Sequence, residues 1–231
     1  MLMNNCINYV QSRVAQPCLL CGSRSHAGLL CPACAAGLPR LPAACCPSCA
    51  LPTPGGAVCG ACLRHPPALT RVRAVYRYAF PVDGLIQRLK YAGQEVIAAH
   101  LARAMAAAVA MPAWPDLILP MPLHPRRLRE RGFNQAALLA GHLAGLLDVE
   151  LAPTACRRVR DTPPQVDLPV DQRHRNIRGA FECVADLSGR RVVLVDDVMT
   201  TGASLDELAR VVQRAGAAEV SAWVVARTVK D

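Results

Sequence analysis

Two groups of residues in this 231-residue chain are of the types, and at the spacings, that do chemistry. The first is a set of eight cysteines in four Cys-x-x-Cys pairs: Cys18 with Cys21, Cys31 with Cys34, Cys46 with Cys49, and Cys59 with Cys62. Gaps of nine, eleven and nine residues separate successive pairs, the pattern of a duplicated unit. Each pair can form a knuckle that points two thiolates at one ion. Two knuckles close a tetrahedral Zn²⁺ site with no open position, so the chemistry is structural, with two zinc ions expected. The spacing leaves open whether the pairs ligate in order or crossed, and whether Cys45 replaces Cys46. Cys6, Cys156 and Cys183 have no spaced partner and read as small buried hydrophobes. Redox use of one Cys-x-x-Cys is the lesser reading when four are present.

The second group follows the apolar run Val192 to Val195. Asp196 and Asp197 stand side by side, then Val198, Met199, Thr200, Thr201, Gly202, Ala203 and Ser204 lead into a helical pattern. A buried strand would deliver the two carboxylates to its carboxyl end. The Thr-Thr-Gly turn would present N–H groups and hydroxyls to an anion at a helix N-terminus. Carboxylates suit sugar hydroxyls, so one segment offers a sugar binder beside a phosphate binder. A Walker B strand would need a Gly-Lys-Ser/Thr loop elsewhere, and neither of the two lysines, Lys90 and Lys230, follows a glycine. A helix merely capped by Thr200 or Thr201 would leave the acidic pair without a partner.

Arginines form two further clusters. His124 to Gln135 holds Arg126, Arg127, Arg129 and Arg131, and reads as a Pro- and Arg-rich loop; Gln165, Arg173, Arg175, Asn176 and Arg178 precede Gly179. Such groups are often solvated surface, but near strand ends they could clamp phosphate by bidentate contacts. His124, beside a proline, is conceivable as a base and reads better as positional.

The elements that must hold these groups fall into two parts. Residues 1–65 carry four arginines and no acid, are rich in Pro, Gly and Ala, and contain no run able to build an apolar core, so metal must order them. Eight thiolates against two divalent ions lower the formal charge of +9 to +5. After His65-Pro66-Pro67, residues 66–231 read as an α/β domain. Strands are expected at Arg71–Phe80 (half-exposed, with Val72, Ala74, Tyr76, Tyr78 and Phe80 on one side), Leu117–Leu119, Arg191–Val195 and Val220–Ala226. Helices are expected at Asp83–Tyr91, Glu95–Met111, Asn134–Leu147 and Ala203–Ala215. Pro153–Gly179 reads as a strand and a long loop. This alternation implies a mostly parallel sheet flanked by helices, with ligands beyond the carboxyl ends of the strands. No stretch is long and apolar enough to span a membrane, and Met1 to Gln16 carries Asn4, Asn5, Asn8 and Gln11 where a secretory signal would be basic and then apolar. A cytoplasmic protein without membrane insertion is expected, and a reducing compartment favours thiolate–metal bonds over disulfides.

The segment Val192–Ser204 resembles the phosphoribosyl-pyrophosphate (PRPP) loop of type I phosphoribosyltransferases. The resemblance implies that Asp196 and Asp197 contact the ribose 2′ and 3′ hydroxyls and that Val198 to Ser204 cradle the 5′-phosphate. It also implies that Pro120-Met121-Pro122-Leu123 forms the pyrophosphate loop, with Mg²⁺ accompanying PRPP and Arg131, Arg173 and Arg175 assisting. The order of the four Cys-x-x-Cys pairs, Leu89-Lys90-Tyr91, Arg131-Gly132-Phe133-Asn134-Gln135, Gln165–Phe181 and the PRPP loop is similar to that of ComF competence proteins. That resemblance covers Cys18 to Arg227. It implies a phosphoribosyltransferase fold with an N-terminal double zinc ribbon, and an association with single-stranded DNA and a helicase during natural transformation.

Catalysis by such a site would displace pyrophosphate from C1 of PRPP through an oxocarbenium-like transition state. The acceptor is not legible in any residue, and no side chain stands out as its base. The alternatives are a non-catalytic PRPP- or nucleotide-binding regulator, and a single-stranded DNA or helicase adaptor. Aromatic residues make up only 4% of the chain, which disfavours a stacking platform.

Overall fold

The computed structural model describes residues 16–26, 28–108, 115–162 and 176–229. The described residues begin with a two-stranded antiparallel pair, β1 (Gln16–Pro17) and β2 (Arg24–Ser25), followed by α1 (Pro32–Ala36) and α2 (Gly60–Arg64). Next come β3 (Arg71–Arg77), α3 (Val82–Ala92), α4 (Glu95–Ala108), β4 (Leu117–Pro120), α5 (Pro125–Arg131) and α6 (Gln135–Leu147). β5 (Glu150–Leu151), β6 (Cys156–Arg158), β7 (Phe181–Cys183), β8 (Arg191–Met199), α7 (Ala203–Arg214) and β9 (Glu219–Arg227) complete the order. Five strands form one sheet in the order β3-β9-β8-β4-β5, every neighbour parallel, and β6 and β7 form a separate antiparallel pair.

The central strands are apolar on both sides because both faces of the sheet are covered. Val193, Val195, Ile118, Trp223 and Val225 pack with α3, α4 and α6 on one face. Val192, Leu194, Leu117 and Leu119 pack with Leu205, Leu208, Ala209 and Val212 of α7 on the other. The α7 positions recur at helical spacing, and each buried leucine contributes about 2 kcal/mol.

β3 departs from the half-exposed strand expected. It ends at Arg77, Val75 is buried as well as Val72 and Tyr76, and Phe80 is 85% exposed. The reason is the cysteine-rich segment, which runs along the open edge of β3. Leu41 N–H donates to Val75 O at 3.0 Å, Arg77 N–H to Pro39 O at 2.7 Å and Val72 N–H to Pro47 O at 2.7 Å. An edge that would otherwise present unpaired backbone groups is thereby closed. The cysteine-rich segment also shares the sheet's two cores. Cys18, Leu30 and Leu38 join one cluster, and Cys46, Cys49 and Ala50 join the other.

The Arg-rich segment after β4 is a helix rather than a loop. Pro125 occupies its first turn, His124 Nδ1 accepts from Arg126 N–H at 3.4 Å, and Gly132 at φ 80° ends it. It buries no residue, so it carries no apolar periodicity to announce it. His124 is its cap. Among the described residues, no helix is long and apolar enough to cross a membrane.

Candidate functional site

The chain leaves β4 for β5 on one side of the sheet and returns to β8 on the other, so the connections diverge between β4 and β8. Ligand crevices form at such a switch point. β8 is longer than expected and runs through Met199. Its pairing with β4 stops at Pro120 opposite Val195, while its pairing with β9 continues to Met199 opposite Arg227. Asp196 and Asp197 therefore lie on a strand that overhangs β4, with one edge not paired to it.

Asp197 is 3% exposed, and its Oδ2 lies 2.7 Å from Lys90 Nζ of α3. Burial works against the lysine's charge, but the carboxylate beside it outweighs burial and holds its pKa above the usual value. Asp196 Oδ1 accepts from Asp197 N–H at 2.9 Å. Burial, and then the charge of Asp197, push the Asp196 carboxyl well above the usual carboxylate range, with Lys90 opposing. A cation or hydroxyl donor entering the crevice would relieve that crowding of negative charge.

Beyond Met199, Thr200 and Thr201 turn the chain, and Gly202 at φ 87° opens α7. A Cβ at Gly202 would meet the far end of the flexible Met199 side chain, which can shift, so it is the left-handed backbone conformation that favours glycine here. Ala203 N–H donates to Thr201 Oγ1 at 3.4 Å. Arg227, at the end of β9 and 5% exposed, holds the turn from below. Its Nη1 donates to Met199 O at 3.0 Å, to Thr200 O and to Thr228 O at 2.8 Å, and its Nε donates to Cys49 O at 2.8 Å.

The Pro120–Leu123 segment has little backbone to offer an anion. Pro120 and Pro122 have no N–H, and Met121 N–H donates to Val195 O at 2.8 Å, so at most Leu123 can contribute one. Met121 O accepts from Asn134 Nδ2 at 3.0 Å, while Asn134 Oδ1 caps α6 by accepting from Ala136 N–H at 3.0 Å. This side chain ties the segment to the start of the helix.

Two stretches singled out in the sequence meet here. A Cβ on Gly93 would approach Phe133 Cε1 to 2.9 Å, and the Arg131 guanidinium stands 5.7 Å from the Tyr91 ring centroid while donating to Gln135 Oε1 at 2.5 Å. Arg173 and Arg175 lie outside the described residues. Two cations that the sequence reading did not assign stand near the carboxylates. One is Lys90, which the sequence marks as part of Leu89-Lys90-Tyr91 but to which no role is given there. The other is Arg158 of β6, half-buried, with its guanidinium over Phe181 and donating to Thr162 Oγ1 at 2.5 Å. Burial, and then Arg127 beside it, lower the pKa of Arg158, while Asp161 and Asp196 oppose. Its Nε has no hydrogen-bond partner among the described residues. No spacing in the sequence points to Arg158.

The cysteines form two tetrads of adjacent pairs, Cys18-Cys21-Cys31-Cys34 and Cys46-Cys49-Cys59-Cys62, each with its sulfurs within 4.8 Å of one another. The in-order pairing, left open by spacing, is the one observed. The two centres repeat in detail. Cys31 N–H points at Cys18 Sγ (3.3 Å) and Cys59 N–H at Cys46 Sγ (3.4 Å), while Cys21–Cys31 and Cys49–Cys59 sulfurs are 3.7 Å apart in both. The N–H groups of Cys31 and Cys21 draw the Cys18 thiol down to about 6. Four soft sulfurs converging with N–H support are the donor set that zinc takes in a closed structural site. Cys45 is not a member; its Sγ donates to Pro42 O at 3.2 Å.

Comparison with known proteins agrees with this architecture. The phosphoribosyl transferase domain family matches residues 134–230, and the double zinc ribbon domain family matches residues 14–63. The chain thus joins a phosphoribosyltransferase-like domain to a double zinc ribbon. It is 37% identical over 222 residues to DNA utilization protein YhgH of Salmonella typhimurium, covering 92% of this chain and 97% of that protein. It is 35% identical over 178 residues to competence protein F of Haemophilus influenzae, covering 73% of this chain and 78% of that one. With competence protein ComFC of Bacillus subtilis the identity is 28% over 218 residues, 86% and 84% of the two chains. The chain belongs to the ComF family of competence and DNA-utilization proteins. A solved purine phosphoribosyltransferase from Pyrococcus horikoshii gives a TM-score of 0.36 at 20% identity, over 56% of this chain and 81% of that chain, and adds nothing to the assignment.

Proposed function

We propose that this chain binds PRPP in the β4–β8 crevice and transfers its phosphoribosyl group to an acceptor, displacing pyrophosphate from C1. The observation that carries this reading is the overhang of β8. Two carboxylates are held beyond β4 and lead directly into a Thr-Thr-Gly turn at the N-terminus of α7. Asp196 and Asp197 take the ribose hydroxyls, and Val198 to Ser204 surround the 5′-phosphate with N–H and hydroxyl donors. Because Pro120 to Leu123 offers at most one N–H, the pyrophosphate charge falls to side chains. Arg158, which feels the charge of Asp196, is one candidate, and Arg131, Arg173 and Arg175 are those the sequence offered. Adjacent carboxylates are hard oxygen donors that suit Mg²⁺ carried in with PRPP, and the ion would supply charge neutralisation for the leaving group. On this reading the same oxygens stabilise the positive charge that develops at C1. Residues 1–65 act as the zinc module and 66–231 as the transferase domain, in the cytoplasm.

The test is calorimetric titration of the zinc-loaded protein with PRPP, with and without Mg²⁺. Saturable binding that disappears when Asp196→Asn and Asp197→Asn are combined is expected. No binding at millimolar PRPP, or unchanged affinity in the double variant, overturns the reading.

A second reading has its own observation. Exposed Arg126 and Arg129 and half-buried Arg127 and Arg131 share α5, and the relatives bear the names DNA utilization protein and competence protein. On this reading the chain is a single-stranded DNA or helicase adaptor, or a regulator that holds PRPP without turnover. Arg126 is already paired with Glu130 and Asp161, which reduces the basic surface. DNA binding that falls steeply with salt would support the adaptor; salt-insensitive or absent binding would remove it.

A further inference from the structure

Cys156 and Cys183, without partners in the sequence, stand directly opposite each other in the antiparallel pair β6–β7. The ladder bonds define the kind of position they occupy. Val184 N–H donates to Ala155 O at 2.9 Å and Val159 N–H to Ala180 O at 2.8 Å, so 155 with 184 and 159 with 180 are hydrogen-bonded pairs. Alternation along the ladder makes 156 with 183 a non-hydrogen-bonded pair, where Cα atoms approach to about 4.5 Å and the side chains share a face. A disulfide spans Cα separations of roughly 4.4 to 6.8 Å, so the strands need not move apart or together to form one.

The surroundings separate the two thiols in access. Cys156 is 4% exposed and lies in the α7-side core; Cys183 is half-buried at its margin, with its Sγ donating to Ala185 O at 3.4 Å. Burial, and then the Cys183 thiol beside it, push the Cys156 thiol up. Neither sulfur belongs to a zinc tetrad. The ordinary packing role of a buried cysteine does not require a second cysteine across the ladder.

We propose that Cys156 and Cys183 are a thiol–disulfide pair, closed by a small-molecule disulfide of the glutathione type and reopened by the corresponding thiol. The accessible Cys183 thiolate attacks one sulfur of the oxidant, forming a mixed disulfide and expelling one small thiolate. Cys156 then gives up its proton as its sulfur attacks Cys183 Sγ, forming the Cys156–Cys183 bond and expelling the second thiolate. The protein loses two protons and two electrons, and one small disulfide takes them up to become two small thiols. The bond would lock β6 to β7 and so fix both ends of the connection between Val159 and Ala180. It does not depend on the PRPP reading.

The zinc-loaded full-length chain is equilibrated in glutathione buffers from fully reduced to fully oxidised, alkylated, digested and mapped by mass spectrometry, with zinc content followed in parallel. The expected result is a linked peptide carrying Cys156 and Cys183, about 2 Da lighter than the sum of its reduced halves, formed while both zinc ions are retained and lost on re-reduction. Cys183→Ser should abolish it and leave Cys156 alkylatable on unfolding. Cys156→Ala should leave Cys183 ending as a mixed disulfide with glutathione. Full alkylation of both residues in the most oxidised buffer, or a linked peptide only after zinc has been released, overturns the proposal.

Discussion

The guanidinium of Arg227 joins Cys49 to the Thr-Thr-Gly turn. Its Nε donates to the Cys49 carbonyl at 2.8 Å, while Nη1 donates to Met199 O at 3.0 Å and to Thr200 O. Cys49 belongs to the second thiol tetrad, so a zinc knuckle and the candidate phosphate loop rest on one buried side chain. Arg227→Gln strands several buried carbonyls. It should cost about 3 kcal/mol in urea unfolding and raise the amide hydrogen exchange of residues 199–202. Exchange unchanged at those amides would show that the turn does not depend on Arg227.

Lys90 and Asp197 form an ion pair with one partner almost fully buried. Lys90→Met alone leaves a buried carboxylate without its cation, whereas Lys90→Met combined with Asp197→Asn removes both charges. A double-mutant cycle by chemical denaturation should give a coupling of about 1–3 kcal/mol. A coupling within error of zero would mean that Lys90 is not the counterion in solution.

Asn134 does two jobs with two ends of one amide, capping α6 and holding Met121 O. Asn134→Asp keeps the acceptor and loses the donor; Asn134→Ala loses both. The alanine variant should lose about 1–2 kcal/mol, and the aspartate variant should recover most of that stability while still weakening PRPP binding. If the two variants bind PRPP equally well as the parent, the Met121 contact has no part in the site.

Asp116 locks the start of β4 to β8. Its carboxylate accepts from Arg191 N–H at 2.9 Å, from Nε at 3.2 Å and from Nη2 at 2.6 Å. Those bonds, the side-chain ones first, draw its pKa from 3.8 down to about 2. A folded pKa below the unfolded one adds stability above the unfolded value, and that stability is lost as the pH falls through the folded value. Stability should therefore decline between pH 4 and pH 2 more steeply than in Asp116→Asn. Parallel pH profiles for the two proteins would contradict the assignment.

Local chemistry was legible without coordinates. Eight cysteines at repeated spacing can do little in a core-poor segment except hold metal. An apolar run followed by two acids and Thr-Thr-Gly needs only its neighbours in the chain to be recognised. Four of the five strands of the sheet followed from apolar runs alternating with helical periods, because burial on both faces leaves that imprint, whereas the two-residue edge strand β5 is too short to leave one. α5 escaped notice because a helix that buries nothing leaves no apolar stripe.

What the tertiary structure decided concerns residues distant in the chain. Lys90 meets Asp197 across the crevice, Arg158 stands near Asp196 from a separate strand pair, and Arg227 reaches a zinc knuckle 178 residues away. The in-order pairing of the thiols, and the facing of Cys156 and Cys183, are likewise matters of knuckle geometry and strand register. Spacing and periodicity report only the local conformation and which faces are buried. Which side chains then face one another depends on sheet order, register and the packing of the cysteine-rich segment against β3, and these arise only when the whole chain closes on its core.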